Sequence, residues 1–190
     1  MKLGDFAALC LMVGLVATAA STARAEIDPV TQQELGNVGV YDSKPVPRAT
    51  VPFETSYKPG TIVVNTTEKR LYLVLEDGKA LRYGIGVGRE GKQFAGQFNV
   101  SRKAEWPGWT PTAEMRAALP SLPTYMEGGP MNPLGARALY IGSTLYRIHG
   151  TNIPWSVGRE MSSGCIRMKN EDVIDLYERV NIGAQVVVLQ

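Results

Sequence analysis

The chain has 190 residues, 44% of them hydrophobic, with 20 Lys and Arg against 18 Asp and Glu and a net charge of +2. That length and apolar content suit one domain with an adequate core. The near balance of charge, with no basic run or stripe, excludes a nucleic-acid-binding protein.

The chain starts with Lys2, an apolar run over residues 6–20, and then Ala23-Arg24-Ala25. A short basic start, an apolar stretch and an A-x-A site predict a signal peptide over residues 1–25, cut after Ala25, and therefore a periplasmic protein. The run is short for a span of about 20 apolar residues. No second long apolar segment follows, so no stable membrane span is expected after processing. Cys10 leaves with the leader, and Cys165 becomes the one thiol of the mature chain.

Residues 26–59 read as an N-terminal arm. Pro29, Pro45, Pro47, Pro52 and Pro59 punctuate it, Gly36 and Gly39 loosen it, and no apolar period persists. Strand signals start at Thr61: a β-branched run over 61–65, an apolar run over 70–76, a turn at Asp77-Gly78, and a further strand over 81–87. Residues 97–102 alternate, with Phe98 and Val100 on one face. Residues 103–138 are rich in Pro, Gly and aromatics; a loop of this length predicts a lid or binding loop, with a short helix inside 111–119. A hairpin is expected from 139–142 and 145–149 across Ser143-Thr144.

One helix is well signalled. Asn170 is expected as its N-cap, Glu171 and Asp172 sit in its first turn, and Val173, Leu176, Tyr177 and Val180 recur at helical spacing. Residues 185–189 form a closing strand. The sum is a mainly β, sandwich-like mixed sheet with one or two supporting helices, in a domain spanning 60–190.

Two residues carry the chemistry. His149 is the single histidine, and it ends a β-rich run, Tyr146-Arg147-Ile148-His149. Cys165 follows after one loop, in Ser162-Ser163-Gly164-Cys165-Ile166-Arg167, just before the helix. A thiol becomes a good nucleophile when an imidazole takes its proton, and the imidazole can return that proton to a leaving amine. The imidazole needs an orienting partner; no aspartate lies nearby in sequence, which points to a backbone carbonyl. The amides around Gly164 and Cys165 are expected to form an oxyanion hole. One Cys and one His supply too few soft ligands for a metal site.

The run His149-Gly150-Thr151, followed after the loop by Ser162-Ser163-Gly164-Cys165-Ile166-Arg167-Met168, resembles the signature of the L,D-transpeptidase family, whose catalytic domain is YkuD-like. The likeness extends upstream through Gly60-Thr61-Ile62-Val63-Val64-Asn65, Leu71-Tyr72-Leu73, Tyr83-Gly84-Ile85-Gly86-Val87-Gly88 and Asn132-Pro133-Leu134-Gly135, covering residues 60–190.

The resemblance implies Cys165 as nucleophile, His149 as general base and the Gly150 carbonyl as the group that orients the imidazole. It puts Arg167, Ser163 and Gly164 on the substrate side. Ser163 stands where relatives often have histidine, and Gln93-Phe94-Ala95-Gly96-Gln97 replaces the family's Thr-Pro-x-Gly turn. The implied reaction acylates the cysteine with a peptidoglycan tetrapeptide, releases D-alanine and passes the acyl group to an amine. The acceptor is a second stem peptide, giving a 3→3 cross-link, or an outer-membrane protein, which is then tethered to the wall. No cofactor is implied. Two other readings stand beside this one: an L,D-carboxypeptidase or thiol hydrolase using the same cysteine, and a non-enzymatic wall-binding module.

Overall fold

The computed structural model describes residues 46–190. The expected signal peptide and the expected arm as far as residue 45 lie outside the described residues. The rest is mostly strand, in a large mixed sheet with two helices.

The first half of the sheet is built from β1 (Ala49–Pro52), β2 (Ile62–Asn65), β3 (Arg70–Val74), β4 (Lys79–Gly84) and the last strand, β11 (Gln185–Leu189), in the order β1-β4-β3-β2-β11. The expected turn joins β3 to β4: Asp77 and Gly78 both take positive φ, 57° and 63°, and the Leu75 N–H donates to the Lys79 carbonyl at 2.9 Å. The end of the predicted arm is itself a strand, since β1 pairs antiparallel with β4. Pro52 is tolerated there because β1 is an edge strand, where no ladder donor is lost.

The second half continues from β11 through β6 (Gly96–Glu105), β7 (Arg137–Ile141), β8 (Arg147–His149) and β10 (Ile166–Arg167). β6 belongs to both halves. Its residues 96–99 pair with β11 and its residues 100–105 with β7, and the register shifts between Val100 and Arg102. Such a slip bends a strand and lets one sheet turn over on itself. One buried cluster accordingly draws Ile62, Leu71 and Tyr83 from the first half and Leu139, Ile148 and Ile166 from the second.

The predicted strand over 81–87 is divided. β4 ends at Gly84 and a short β5 (Val87–Gly88) pairs instead with β9 (Glu160–Ser162). The break falls at Gly86, whose N–H and C=O both turn to Arg167, at 2.8 Å each. A side chain at 86 would meet the Ser156 carbonyl oxygen at 2.6 Å, so this close approach needs glycine. The predicted excursion is also shorter than 103–138, because β6 runs to Glu105 and β7 starts at Arg137. It contains the expected short helix, α1 (Ala113–Ala118), capped by the Thr112 side chain.

The second helix, α2 (Asn170–Arg179), packs Val173 and Leu176 into the main core. Its start differs from expectation: Lys169 is the cap residue and makes no side-chain capping bond. Asn170 is the first helical residue, and its Oδ1 accepts from the Ala136 N–H at 3.0 Å and the Thr151 N–H at 3.2 Å. The residue type that satisfies a helix's own first turn here ties two loops to the helix. At the other end, Lys103 Nζ donates to the Tyr177 and Val180 carbonyls at 2.6 and 2.7 Å, which complements the negative end of the helix dipole.

Asn170→Ala should therefore destabilise the protein by about 1–3 kcal/mol, because two partly buried amides lose their acceptor. Asn170→Asp, which keeps an acceptor oxygen, should recover most of the loss. Urea unfolding of the three proteins checks this, and equal midpoints would refute the tie.

Candidate active site

His149 and Cys165 come from opposite ends of one loop, and the sheet brings those ends together. β8, which ends on His149, pairs in parallel with β10, which follows Cys165, with Ile148 opposite Ile166 and His149 opposite Arg167. The Met168 N–H closes the pairing on the His149 carbonyl at 2.8 Å. Because Ile148 and Ile166 belong to the core, both strands are fixed in register by the residues they bury.

His149 is only 4% exposed. Its Nδ1 lies 2.5 Å from the carbonyl oxygen of Gly150. A carbonyl oxygen only accepts, so Nδ1 carries the proton and Nε2 keeps its lone pair. Burial pushes the imidazole pKa down to about 3, the Arg167 and Arg147 charges push the same way, and the Gly150 and Leu134 carbonyls oppose them. At neutral pH the ring is therefore uncharged.

Cys165 is half-buried. Burial pushes its thiol pKa up, while the Arg147 and Arg167 guanidiniums and hydrogen bonds from Arg147 draw it down. The same two arginines thus act on both groups, so thiol and imidazole share one electrostatic neighbourhood. Both are neutral at rest, and the thiol donates to the Leu145 carbonyl oxygen at 3.9 Å.

The turn before the thiol is held by a residue the sequence reading passed over. Ser162 Oγ donates to the Cys165 carbonyl at 2.5 Å and accepts from the Gly164 N–H at 3.1 Å. The Gly164 amide is thereby engaged, which leaves an oxyanion hole to be built on the Cys165 amide. The signal was there to find, since a serine three residues before the thiol can close such a turn. Ser163 is half-buried in the same turn. Gly164 takes φ +117°, and a side chain on it would meet Tyr146 Cε1 at 2.5 Å. Arg167 is buried beside His149 in the register, with both backbone groups bound to Gly86.

The segment that departs from the family's turn packs over this nucleophile turn. Phe94 stacks on Tyr146 with ring centroids 3.9 Å apart, and Tyr146 in turn lies against Gly164. Gln93 Nε2 donates to the Gly88 carbonyl at 3.1 Å. On the other side, the excursion carrying α1 has its own small core. Trp109 and Leu134 pack with Ile153 of the loop between His149 and Cys165. Lys92 and Arg89 both reach Glu114 of α1, at 2.9 and 3.7 Å, and join the two flanks. The excursion is thus a packed wall of the site.

Among the described residues no group of three or more His, Cys, Asp or Glu side chains is placed to hold a metal ion, and no helix is long and apolar enough to cross a membrane.

Comparison with known proteins agrees with this geometry. The sequence model of the YkuD family, the L,D-transpeptidase catalytic domain, matches residues 59–188. The chain is 43% identical over 132 residues to a probable L,D-transpeptidase YbiS of Escherichia coli, covering 66% of this chain and 43% of that protein. It is 40% identical over 135 residues to the probable L,D-transpeptidase ErfK/SrfK of the same organism, covering 67% and 43%. It therefore spans less than half the length of these relatives. Among solved structures, an L,D-transpeptidase from Mycobacterium smegmatis shares the fold with a TM-score of 0.54 at 17% identity, over 68% of this chain and 58% of that one. A Brucella melitensis protein titled a probable carnitine operon oxidoreductase is 49% identical, with a TM-score of 0.51, over 75% of this chain and 93% of that one. The family match runs from before β2 into β11 and takes in the wall, His149 and Cys165 together, and the chain belongs to the YkuD family of L,D-transpeptidase catalytic domains.

Proposed function

We propose that this protein is an exported, cysteine-dependent L,D-transpeptidase acting on peptidoglycan stem peptides. The observation that carries the reading is His149, with its Nδ1 proton committed to Gly150, on a strand paired with the one that directly follows Cys165, both groups resting uncharged near Arg147 and Arg167. The leader over residues 1–25 supplies the export step.

In the first half-reaction His149 Nε2 takes the thiol proton as the sulfur attacks the carbonyl carbon of the third stem residue. The carbonyl electrons move to oxygen, where the Cys165 amide donates to the developing charge. The intermediate collapses, the C–N bond to D-alanine breaks, and the imidazolium returns its proton to the departing amine. The thioester then meets an acceptor amine, which gives its proton to His149 as it attacks, and the thiol is regenerated. Neither group needs to be charged before substrate arrives. This suits a pair whose burial disfavours both ions. An amine from another stem peptide gives a 3→3 cross-link, an amine of an outer-membrane protein gives tethering, and water gives hydrolysis.

Incubating the purified protein with tetrapeptide muropeptides and following D-alanine and adduct masses tests the reading. Cys165→Ala should lower D-alanine release by a factor on the order of 10³ or more and abolish the covalent adduct. Release at the wild-type rate by the variant would refute the assignment. The product masses also separate cross-linking from hydrolysis.

The buried imidazole makes a second prediction. Its folded pKa of about 3 lies below its ordinary value of 6.5, so as pH falls the unfolded chain takes up the proton first. The neutral ring's full contribution is present above about pH 6.5 and is lost progressively as pH falls towards 3. Melting temperatures across that window should fall more steeply for the wild type than for His149→Gln. Parallel curves would contradict a buried neutral ring.

A further inference from the structure

The strands beside Cys165 carry a row of side chains of which the proposed chemistry uses only Arg147, through its hydrogen bonds to the thiol. Tyr140 on β7 stands directly opposite Arg147 on β8, and Arg102 on β6 stands directly opposite Tyr140. Residues paired across a sheet project to the same face, and along β8 Arg147 and His149 share a face while Ile148 points into the core. The row Arg102–Tyr140–Arg147 therefore lies on the side of the sheet that presents the imidazole. Its Arg147 end is on the strand next to β10, one position before the Ile148–Ile166 pair, level with Cys165.

The two guanidiniums converge on one ring. Arg102 sits 3.6 Å and Arg147 5.1 Å from the Tyr140 centroid. A tyrosine face attracts each cation, but it cancels neither charge. Among the described residues no carboxylate lies within 4.0 Å of either arginine, whereas Arg137, also on β7, is paired with Glu105 at 3.1 Å. Nε of Arg147 is buried without an acceptor among the described residues. Two like charges held together beside a reactive thiol, with planar forks and an idle donor, form a site for a carboxylate.

We propose that Arg147, backed by Tyr140 and Arg102, binds the C-terminal carboxylate of the donor peptide and so selects a donor whose scissile bond is its last. The inference rests on the transpeptidase reading and deepens it. The distances agree: neighbouring strands are about 4.8 Å apart, and the terminal carboxylate of a donor lies one residue, about 3.5 Å of chain, beyond the carbonyl that the sulfur attacks. A donor extended by another residue, or capped as an amide, offers no anion there. Arg147 is on this account a substrate-binding residue, with Tyr140 and Arg102 as positioning residues.

The test compares thioester formation by the purified protein with three donors: the tetrapeptide, the same peptide with its C-terminus amidated, and the same peptide amidated on any side-chain carboxylate of its diamino acid. The wild type should prefer the free C-terminus over its amide by about 10- to 100-fold and be indifferent to side-chain amidation. Arg147→Met should slow both donors, because the Arg147 side chain also hydrogen-bonds the thiol, but should slow the free acid further and so lose the preference, and Arg147→Lys should restore part of it. Arg102→Met should weaken the preference less. Circular dichroism and melting curves confirm that each variant is folded, and an Arg147→Met that fails to fold leaves Arg147→Lys and Arg102→Met to decide.

Equal wild-type rates on acid and C-terminal amide would overturn the proposal, as would a preference that follows the side-chain carboxylate instead. So would an Arg147→Met variant that slows both donors alike while raising the pH at which iodoacetamide alkylates Cys165, since Arg147 would then serve the thiolate alone. No adduct with any donor would sink the transpeptidase reading itself, a result distinct from all of these.

Discussion

The parallel pairing of β8 with β10 is the constraint on which the rest of the site depends. It joins the two ends of the loop between His149 and Cys165, and it is set by Ile148 and Ile166, which bury their side chains in the core. A slip of one residue would turn those isoleucines out and the His149 and Arg167 side chains in. The register of the candidate site is thus held by hydrophobic burial on one face of the sheet, while its polar side chains are arranged on the other.

From that register follow the electrostatics. Placing an imidazole and a thiol at a buried edge makes both ions costly, so both groups rest uncharged. The Gly150 carbonyl fixes which nitrogen carries the proton, and Asn170 holds the next residue, Thr151, by its amide. A carboxylate in place of the Gly150 carbonyl would stabilise the imidazolium and raise its pKa. A neutral carbonyl orients the ring without that effect. The Arg147 and Arg167 guanidiniums act in the opposite sense on the thiol, where they lower the cost of the developing thiolate.

The longer strands and their order of appearance were legible in the sequence because period-2 patterns and the Asp77-Gly78 turn are local signals, whereas β1 inside the expected arm and the short β9 and β10 carry no such pattern. Pairing across long separations was not. Nothing near Gly86 says that its backbone turns to Arg167, and that contact cuts the predicted strand short. Asn170 shows the same limit. Its position before a helical pattern reads as a cap, yet the side chain finds better-placed donors in two other loops. The two reactive residues stood out because each is nearly unique by count and both sit in one motif. Ser162 was passed over because its work is done on the backbone of the turn, and Arg147 because only the sheet aligns it with Tyr140 and Arg102.

The single histidine makes the central claim directly measurable. In protein labelled with ¹⁵N at histidine, His149 gives the only imidazole signals, and their shifts report charge and tautomer together. The account predicts one neutral ring with the proton on Nδ1, unchanged from pH 8 down to about pH 5. A ring that titrates near its ordinary value, or that is an imidazolium at neutral pH, would contradict it.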